Sequence, residues 1–294
     1  MKVIKNIISL NKKLSSVRKK NQSIGFVPTM GSLHQGHISL LEQSTIENNV
    51  TVCSIYVNPT QFNDKKDFEK YPRDIKRDEN LLKRIKCDIL FLPSDHEMYP
   101  DNKANEDYGF MNGMDILEGE KRPGHFYGVL TIVHTLFKVI QPDRAYFGEK
   151  DYQQLWLIKQ FVAHKNMPIE IRGCPTIRAE DGLALSSRNE RLTLEEKKIA
   201  LSLFSAMNNF KKEIQRMINK TSNYYLKTIE IESLKKTIAR KIYKNPHIKL
   251  DYFEVIDVEN FSFAKEIHTS KDYRVFIAAH IAQIRLIDNT LIVC

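Results

Sequence analysis

VPTMGSLHQGHISLL, residues 27–41, joins a short apolar strand to an amphipathic helix through a tight turn. The strand, Ile24–Val27, is expected to stop at Pro28, where the ladder loses a donor. Gly31 supplies the turn, and the helix carries His34, Gly36 and His37 in its first turn. Two histidines three residues apart share one face of a helix. Gly36 removes a side chain where a ligand approaches the backbone. A helix N-terminus draws anions through its free N–H groups and its dipole. Two imidazoles added there make a pocket for phosphates that are gaining negative charge. The bare H-x-x-H spacing also occurs on solvated faces and in halves of metal sites. The strand–turn–helix setting is what makes it specific.

Working outward, residues 3–20 read as a first helix ending in the basic run Arg18–Lys20. Residues 50–57, VTVCSIYV, form a nearly continuous β-branched run, typical of a strand buried on both faces of a parallel sheet. It leads into the turn Asn58–Phe62, at the edge where open α/β sheets bind ligands. A helix to about Lys86, a strand Asp88–Leu92 and an irregular stretch with a short strand at Tyr108–Met111 follow. Then come an apolar helix Val129–Ile140, a strand Ala145–Phe147, a helix Tyr152–His164 and a strand Ile169–Arg172. Such alternation indicates βαβ units and a Rossmann-like, doubly wound parallel sheet. After Cys174-Pro175 the pattern changes to helices at about 193–217 and 221–243, then strands near 248–256, 273–280 and 284–288. The expected organisation is an α/β domain over residues 1–175 and a smaller α+β domain over 176–294.

The chain has 294 residues, enough for one large domain and a smaller one, with 42% apolar and 28% charged residues, as in soluble globular enzymes. No run approaches the roughly 18 apolar residues that span a bilayer, and MKVIKNIISLNKKL lacks a small-residue cleavage site. No membrane partner is expected. Cys53, Cys87, Cys174 and Cys294 are far apart and form no CxxC, so a reducing cytoplasm fits better than disulfides or zinc. The net charge of +9 raises the question of a nucleic-acid partner. The lysines are scattered rather than interleaved with aromatics, which fits a solvated basic surface and, in part, anionic substrates.

Neither a P-loop GxxxxGK[ST] nor a GxGxxG fingerprint is present, so any nucleotide must be held by the HxGH helix. Four further stretches fall where strands end: NPTQF at 58–62, RPGHF at 122–126, GEKDYQQL at 148–155 and LALSSRN at 183–189. Lys150 is either a point charge for phosphates or an exposed loop lysine. Gln61 and Gln154 present amides to a hydroxyl or carboxylate, or to solvent. Ser186, Ser187 and Arg188 form either a phosphate clamp or a helix cap.

The string PTMGSLHQGH resembles the HxGH signature of the nucleotidylyltransferases and, within them, the pantoate–β-alanine ligase family. The four further stretches match that family's motifs in order and spacing, and RLIDN at 285–289 is similar to its C-terminal ending. The chain departs at Ala282, where the family carries glycine; this bears on the C-terminal turn and leaves catalysis untouched.

The resemblance implies a Mg²⁺- and ATP-dependent ligase that joins pantoate to β-alanine through a pantoyl adenylate, releasing AMP and pyrophosphate. It implies that Met30, Gly31, His34, Gly36 and His37 hold the nucleotide, with His37 as proton donor to the leaving group. Gly148, Glu149, Lys150 and Asp151, Ile177 against the adenine, and Leu185, Ser186, Ser187 and Arg188 are further nucleotide positions. Gln61 is implied for pantoate and β-alanine, Gln154 for pantoate, with Met30 beside them. Asp78 is carried as a protein contributor to Mg²⁺, otherwise held by phosphates and water. Arg122 and His125 are expected at the mouth of the site. The second domain is expected to act as a lid or dimer support, in a homodimer. Two alternatives stay open: an HxGH adenylyltransferase with another small acceptor, and a non-catalytic RNA-binding relative, which would need none of these motifs.

Overall fold

Apolar runs separated by helices of three to four turns place successive strands side by side. In the computed structural model, which describes residues 1–100, 108, 112–220, 228–268 and 270–292, the chain forms two compact units, Met1–Ile177 and Arg178–Cys294. The first unit runs β1 (Lys2–Ile4), α1 (Ile7–Arg18), β2 (Ile24–Thr29), α2 (Gln35–Glu47), β3 (Val50–Ile55), α3 (Lys65–Glu69) and α4 (Ile75–Arg84). It continues with β4 (Ile89–Phe91), α5 (Asp95–Met98), α6 (Glu118–Lys121), α7 (His125–Ile140), β5 (Arg144–Gly148), α8 (Tyr152–His164) and β6 (Glu170–Cys174).

The six strands lie in the order β1-β4-β3-β2-β5-β6, every pairing parallel. The chain steps outward from β2 through β3 to β4, then returns to the other side of β2 as β5. The switch point is therefore between β2 and β5, and the crevice outside their carboxyl ends is where such sheets take ligands. Val27, Leu33, Leu41, Cys53, Leu82, Leu90 and Tyr146 form a core cluster.

Two expectations change here, and a third lies outside the described residues. The first helix begins at Ile7, because Lys2–Ile4 is an edge strand paired to β4 and Asn6 caps the helix by accepting from Ser9 N. A three-residue strand running straight into an amphipathic helix leaves no alternation to detect. Strand β2 continues through Pro28 to Thr29. Pro28 faces β5, whose pairing with β2 covers only Gly25 and Phe26, while the β3 ladder carries on to Thr29, so no donor is missed. The strand expected at Tyr108–Met111 lies outside the described residues except for the buried Tyr108.

The second unit contains α9 (Leu194–Lys220), β7 (Thr228–Glu230), α10 (Glu232–Tyr243), β8 (Ile248–Asp257), β9 (Ser262–Phe263), β10 (Glu266–His268), β11 (Tyr273–Ile281) and β12 (Ile284–Ile292). An antiparallel sheet ordered β12-β11-β8-β9 buries Phe253, Val255, Val275 and Ile277 with Met207, Phe210 and Ile238 of the two helices. The second helix starts at Glu232 rather than 221, because 228–230 pair with β10; residues 221–227 are outside the described set.

The β11–β12 hairpin turns through Ala282, at φ 50°. An L-residue with a Cβ is disfavoured in this left-handed region, and a two-residue hairpin loop requires it. Ala282→Gly is expected to stabilise the chain by roughly 0.5–1 kcal/mol, after the added chain entropy of glycine, raising the unfolding midpoint by about 1–4 °C. An unchanged or lower midpoint would show that Ala282 carries no strain.

Candidate active site

The loop after β2 doubles back sharply: Gly31 has φ 82° and Ser32 φ 50°. Glycine tolerates this conformation, and Ser32 is held in it by a buried carboxylate. Asp78 is completely buried on α4, and its Oδ2 and Oδ1 accept from Ser32 N and Leu33 N, each at 2.8 Å. Burial pushes the Asp78 carboxyl above its usual range, and these two backbone bonds oppose the shift. These bonds take one lone pair on each oxygen, and through them the carboxylate anchors the loop that leads into His34. Among the described residues, no three His, Cys, Asp or Glu side chains converge as a metal cage would require.

His34 is not inside the helix but is its N-cap, at φ −136° and ψ 177°. Its Nδ1 accepts from Gly36 N at 3.1 Å, and His37 Nδ1 reaches back to accept from His34 N at 3.3 Å. This reciprocal arrangement is a capping box built from two imidazoles. Their rings lie 4.1 Å apart, centroid to centroid. A backbone N–H can only donate, so both Nδ1 atoms must carry lone pairs and both rings place their proton on Nε2. The N–H groups of Ser32, Leu33, His34 and Gly36 are thus all taken by the protein itself. Most of the N–H groups around the helix start are therefore engaged within the protein, and each imidazole carries its one N–H on Nε2. A Cβ at Gly36 would lie 2.9 Å from His34 Cε1, so the missing side chain also leaves room for that ring.

His37 is pushed down to about 3 by burial first, then by His34, with Asp151 opposing and Lys150 reinforcing. It is a neutral donor at physiological pH. Lys150 and Asp151 act on it from the turn after β5, the strand across the switch point. Lys150 Nζ pairs with Asp151 Oδ1 at 3.4 Å. Gly148 ends β5, and Glu149–Asp151 form one tight turn before α8.

From the end of β3, Gln61 closes the other side. Its Nε2 lies 2.9 Å from Met30 Sδ, and its Oε1 accepts from Asn58 Nδ2 at 3.2 Å. Asn58 is itself buried, with Tyr99 OH donating to its Oδ1 at 2.7 Å. His125 and Arg122 both reach the Gln61 backbone carbonyl. Burial, followed by the Arg122 charge, pushes His125 down to about 3. Gln154 is half-buried in the first turn of α8, and Ile177, also half-buried, ends the first unit.

In the second unit, considered alone, Ser186 Oγ accepts from Arg188 N at 3.3 Å and caps the turn Ser187–Arg191. Ser187 is buried, and Leu185 and Arg188 are half-buried. The RLIDN segment is structural, because Asp288 takes Arg178 in two bonds of 2.6 and 2.9 Å while Arg178 stacks on Phe204.

Sequence reasoning missed Gln153, which is buried and holds the 113–118 loop through Gly113 O, Ile116 O and Glu118 N. No local signal separates it from Gln154; only the helix face does. Asn58 had one, since Asn before Pro opens a capped turn.

Two depressed histidines make stability fall in acid. Each ring binds a proton in the unfolded chain below about 6.5 and in the folded chain only below about 3. The unfolded state therefore binds more protons between these values, and stability rises with pH across that window, at up to about 1.4 kcal/mol per pH unit per ring. Urea midpoints are expected to drop steadily from pH 7 to pH 5; a flat profile would refute the assignment.

The pantoate–β-alanine ligase family model matches residues 2–291. A pantothenate synthetase of Bacteroides thetaiotaomicron is 42% identical over 289 residues, 98% of each chain. The pantothenate synthetase structure from Thermus thermophilus aligns over all of both chains with a TM-score of 0.89 and 35% identity. A Francisella tularensis pantoate–β-alanine ligase, solved in complex with β,γ-ATP and β-alanine, aligns over 99% of this chain and 97% of its own at TM-score 0.76 and 37% identity. The chain belongs to the pantoate–β-alanine ligase family, whose members are pantothenate synthetases.

Proposed function

We propose that the enzyme joins pantoate to β-alanine in two steps, and the paired Nε2–H donors of His34 and His37 beside Lys150 carry the proposal. In the first step a pantoate carboxylate oxygen bonds to the α-phosphorus of ATP. The bond from that phosphorus to the β-phosphate oxygen breaks, and pyrophosphate leaves. In the second step the β-alanine amine attacks the acyl carbon, loses a proton, and AMP departs. Charge grows on phosphate oxygens in the first step, where donors placed beforehand stabilise it without reorganising.

His37, neutral when the site is empty, donates a hydrogen bond from Nε2, and a triphosphate beside it raises its proton affinity. Lys150 adds a point charge, and Met30, Gly31, Gly36 and Gly148–Asp151 contour the nucleotide site. Gln61 and Gln154 are neutral, which suits a hydroxy acid better than a phosphorylated acceptor. Ile177 and Leu185–Arg188 are assigned to the nucleotide by motif. Mg²⁺ bound to the triphosphate neutralises part of its charge; the residues present fit an ion carried by phosphate oxygens and water rather than by Asp78. The same reading takes the enzyme as a cytoplasmic homodimer, and the buried free thiols of Cys53, Cys87 and Cys174 suit a reducing compartment.

Pyrophosphate exchange into ATP, without β-alanine, tests the proposal. Exchange that requires pantoate is expected. Exchange with a different acid would move the substrate to another adenylyltransferase, and none with any acid would end the reading.

A further inference from the structure

The carbonyl oxygen of Gln61 receives two side-chain donors from one short segment: His125 Nδ1 at 2.8 Å and Arg122 Nη2 at 3.2 Å. Arg122 Nη1 also lies 3.1 Å from His125 Nε2. A carbonyl only accepts and a guanidinium only donates, so the ring has one consistent state, neutral with its proton on Nδ1. This is the opposite tautomer to that of His34 and His37. The segment is bonded a third time, where Asn58 Nδ2 donates to Gly128 O at 3.0 Å as well as to Gln61 Oε1. Helix α7 meets the turn backbone to backbone, since a Cβ on Gly128 would stand 2.5 Å from Thr60 O. Behind Arg122 sits the buried Glu118, whose carboxylate is 3.7 Å away and whose N–H is held by Gln153.

Both ends of the Gln61 residue are therefore specified: its amide by Asn58 and its carbonyl by the Arg122–His125 pair. Building on the proposed reaction, we infer that His125 is a positioning residue that fixes Gln61 against the acid substrate through a single-tautomer hydrogen bond to its backbone carbonyl. Its hydrogen bonds run to Gln61 and Arg122 and not to the nucleotide segment, so its effect falls on the substrates assigned to Gln61 rather than on ATP. The ring is shielded from solvent and remains uncharged between pH 5 and 8, with Arg122 opposing protonation and Glu118 and Asp151 favouring it.

His125→Ala is expected to lower kcat/KM for pantoate about 10²-fold, the scale of a displaced contact in the reacting complex, with KM for ATP unchanged. His125→Asn keeps an N–H near the Nδ1 position and is expected to recover most of the loss. Equal losses for ATP and pantoate, or wild-type pantoate kinetics in His125→Ala, would overturn the inference. A readout independent of turnover keeps it decidable should His125→Ala fold poorly or should the acid prove not to be pantoate. Imidazole ¹⁵N shifts of the wild-type protein are expected to show neutral His125 protonated on Nδ1 from pH 5 to 8. An Nε2–H ring, or a titration near 6.5, would overturn it. Absence of pantoate-dependent exchange in the wild type with the Nδ1–H signature intact would fault the substrate alone.

Discussion

Replacing His37 with alanine is expected to lower pantoate-dependent pyrophosphate exchange by about 10²–10³-fold, the scale of one lost transition-state donor. Two things vanish in that variant. One is the Nε2–H, and the other is the Nδ1 that accepts from His34 N and steadies the capping box. His37→Gln restores both in amide form, because a glutamine at the third helical position can reach back to the N-cap N–H through Oε1 while its Nε2 still donates. His37→Gln is therefore expected to recover part of the rate that His37→Ala loses. A wild-type rate in both variants would remove His37 from the mechanism. The pH profile supplies a second check. Since the free enzyme already holds His37 neutral above about 3, kcat/KM should show no break from this ring near 6.5.

The second large effect is on stability. Asp78→Ala is expected to cost roughly 2–5 kcal/mol, because it strands two buried backbone N–H groups in a loop already at positive φ. For a unit of this size that is a drop of about 4–20 °C in the unfolding midpoint. Asp78→Asn retains one acceptor but turns an amide N–H against the other donor, so a smaller loss, roughly 1–3 kcal/mol, is expected. Exchange activity in Asp78→Asn should fall as well, since Ser32 and Leu33 lead directly into the His34 cap. A thermally neutral Asp78→Ala would show that the loop is held by other contacts. Full activity in a destabilised Asp78→Asn would confine the residue to folding.

Much of the architecture was legible because periodicity is a local property. The β-branched run at 50–57 reads as a strand covered on both faces and contains β3, and the strongly apolar 129–140 reads as a helix and lies within the buried α7. Likewise the PTMGSLHQGH string indicated phosphate chemistry, and the structure brings together residues 28–37, 58–62, 122–126 and 148–151 as neighbours at the ends of β2, β3 and β5 and the start of α7. Short elements were not legible. Three residues at 2–4 become a strand only because β4 lies beside them, and 228–230 only because β10 does.

The sequence by itself determined which residue types were available: two histidines at a helix start, a lysine after a glycine, a neutral glutamine after a strand. Tertiary structure decided what each one does. Whether a carboxylate binds a metal or a backbone depends on which groups surround it, and Asp78 meets two N–H groups from a loop more than forty residues away. The protonated nitrogen of a histidine depends on its partners: backbone donors leave His37 with Nε2–H, and a backbone carbonyl gives His125 the Nδ1–H. Hydrogen-bond direction and burial are set by atoms distant in the chain, and a local pattern carries no record of them.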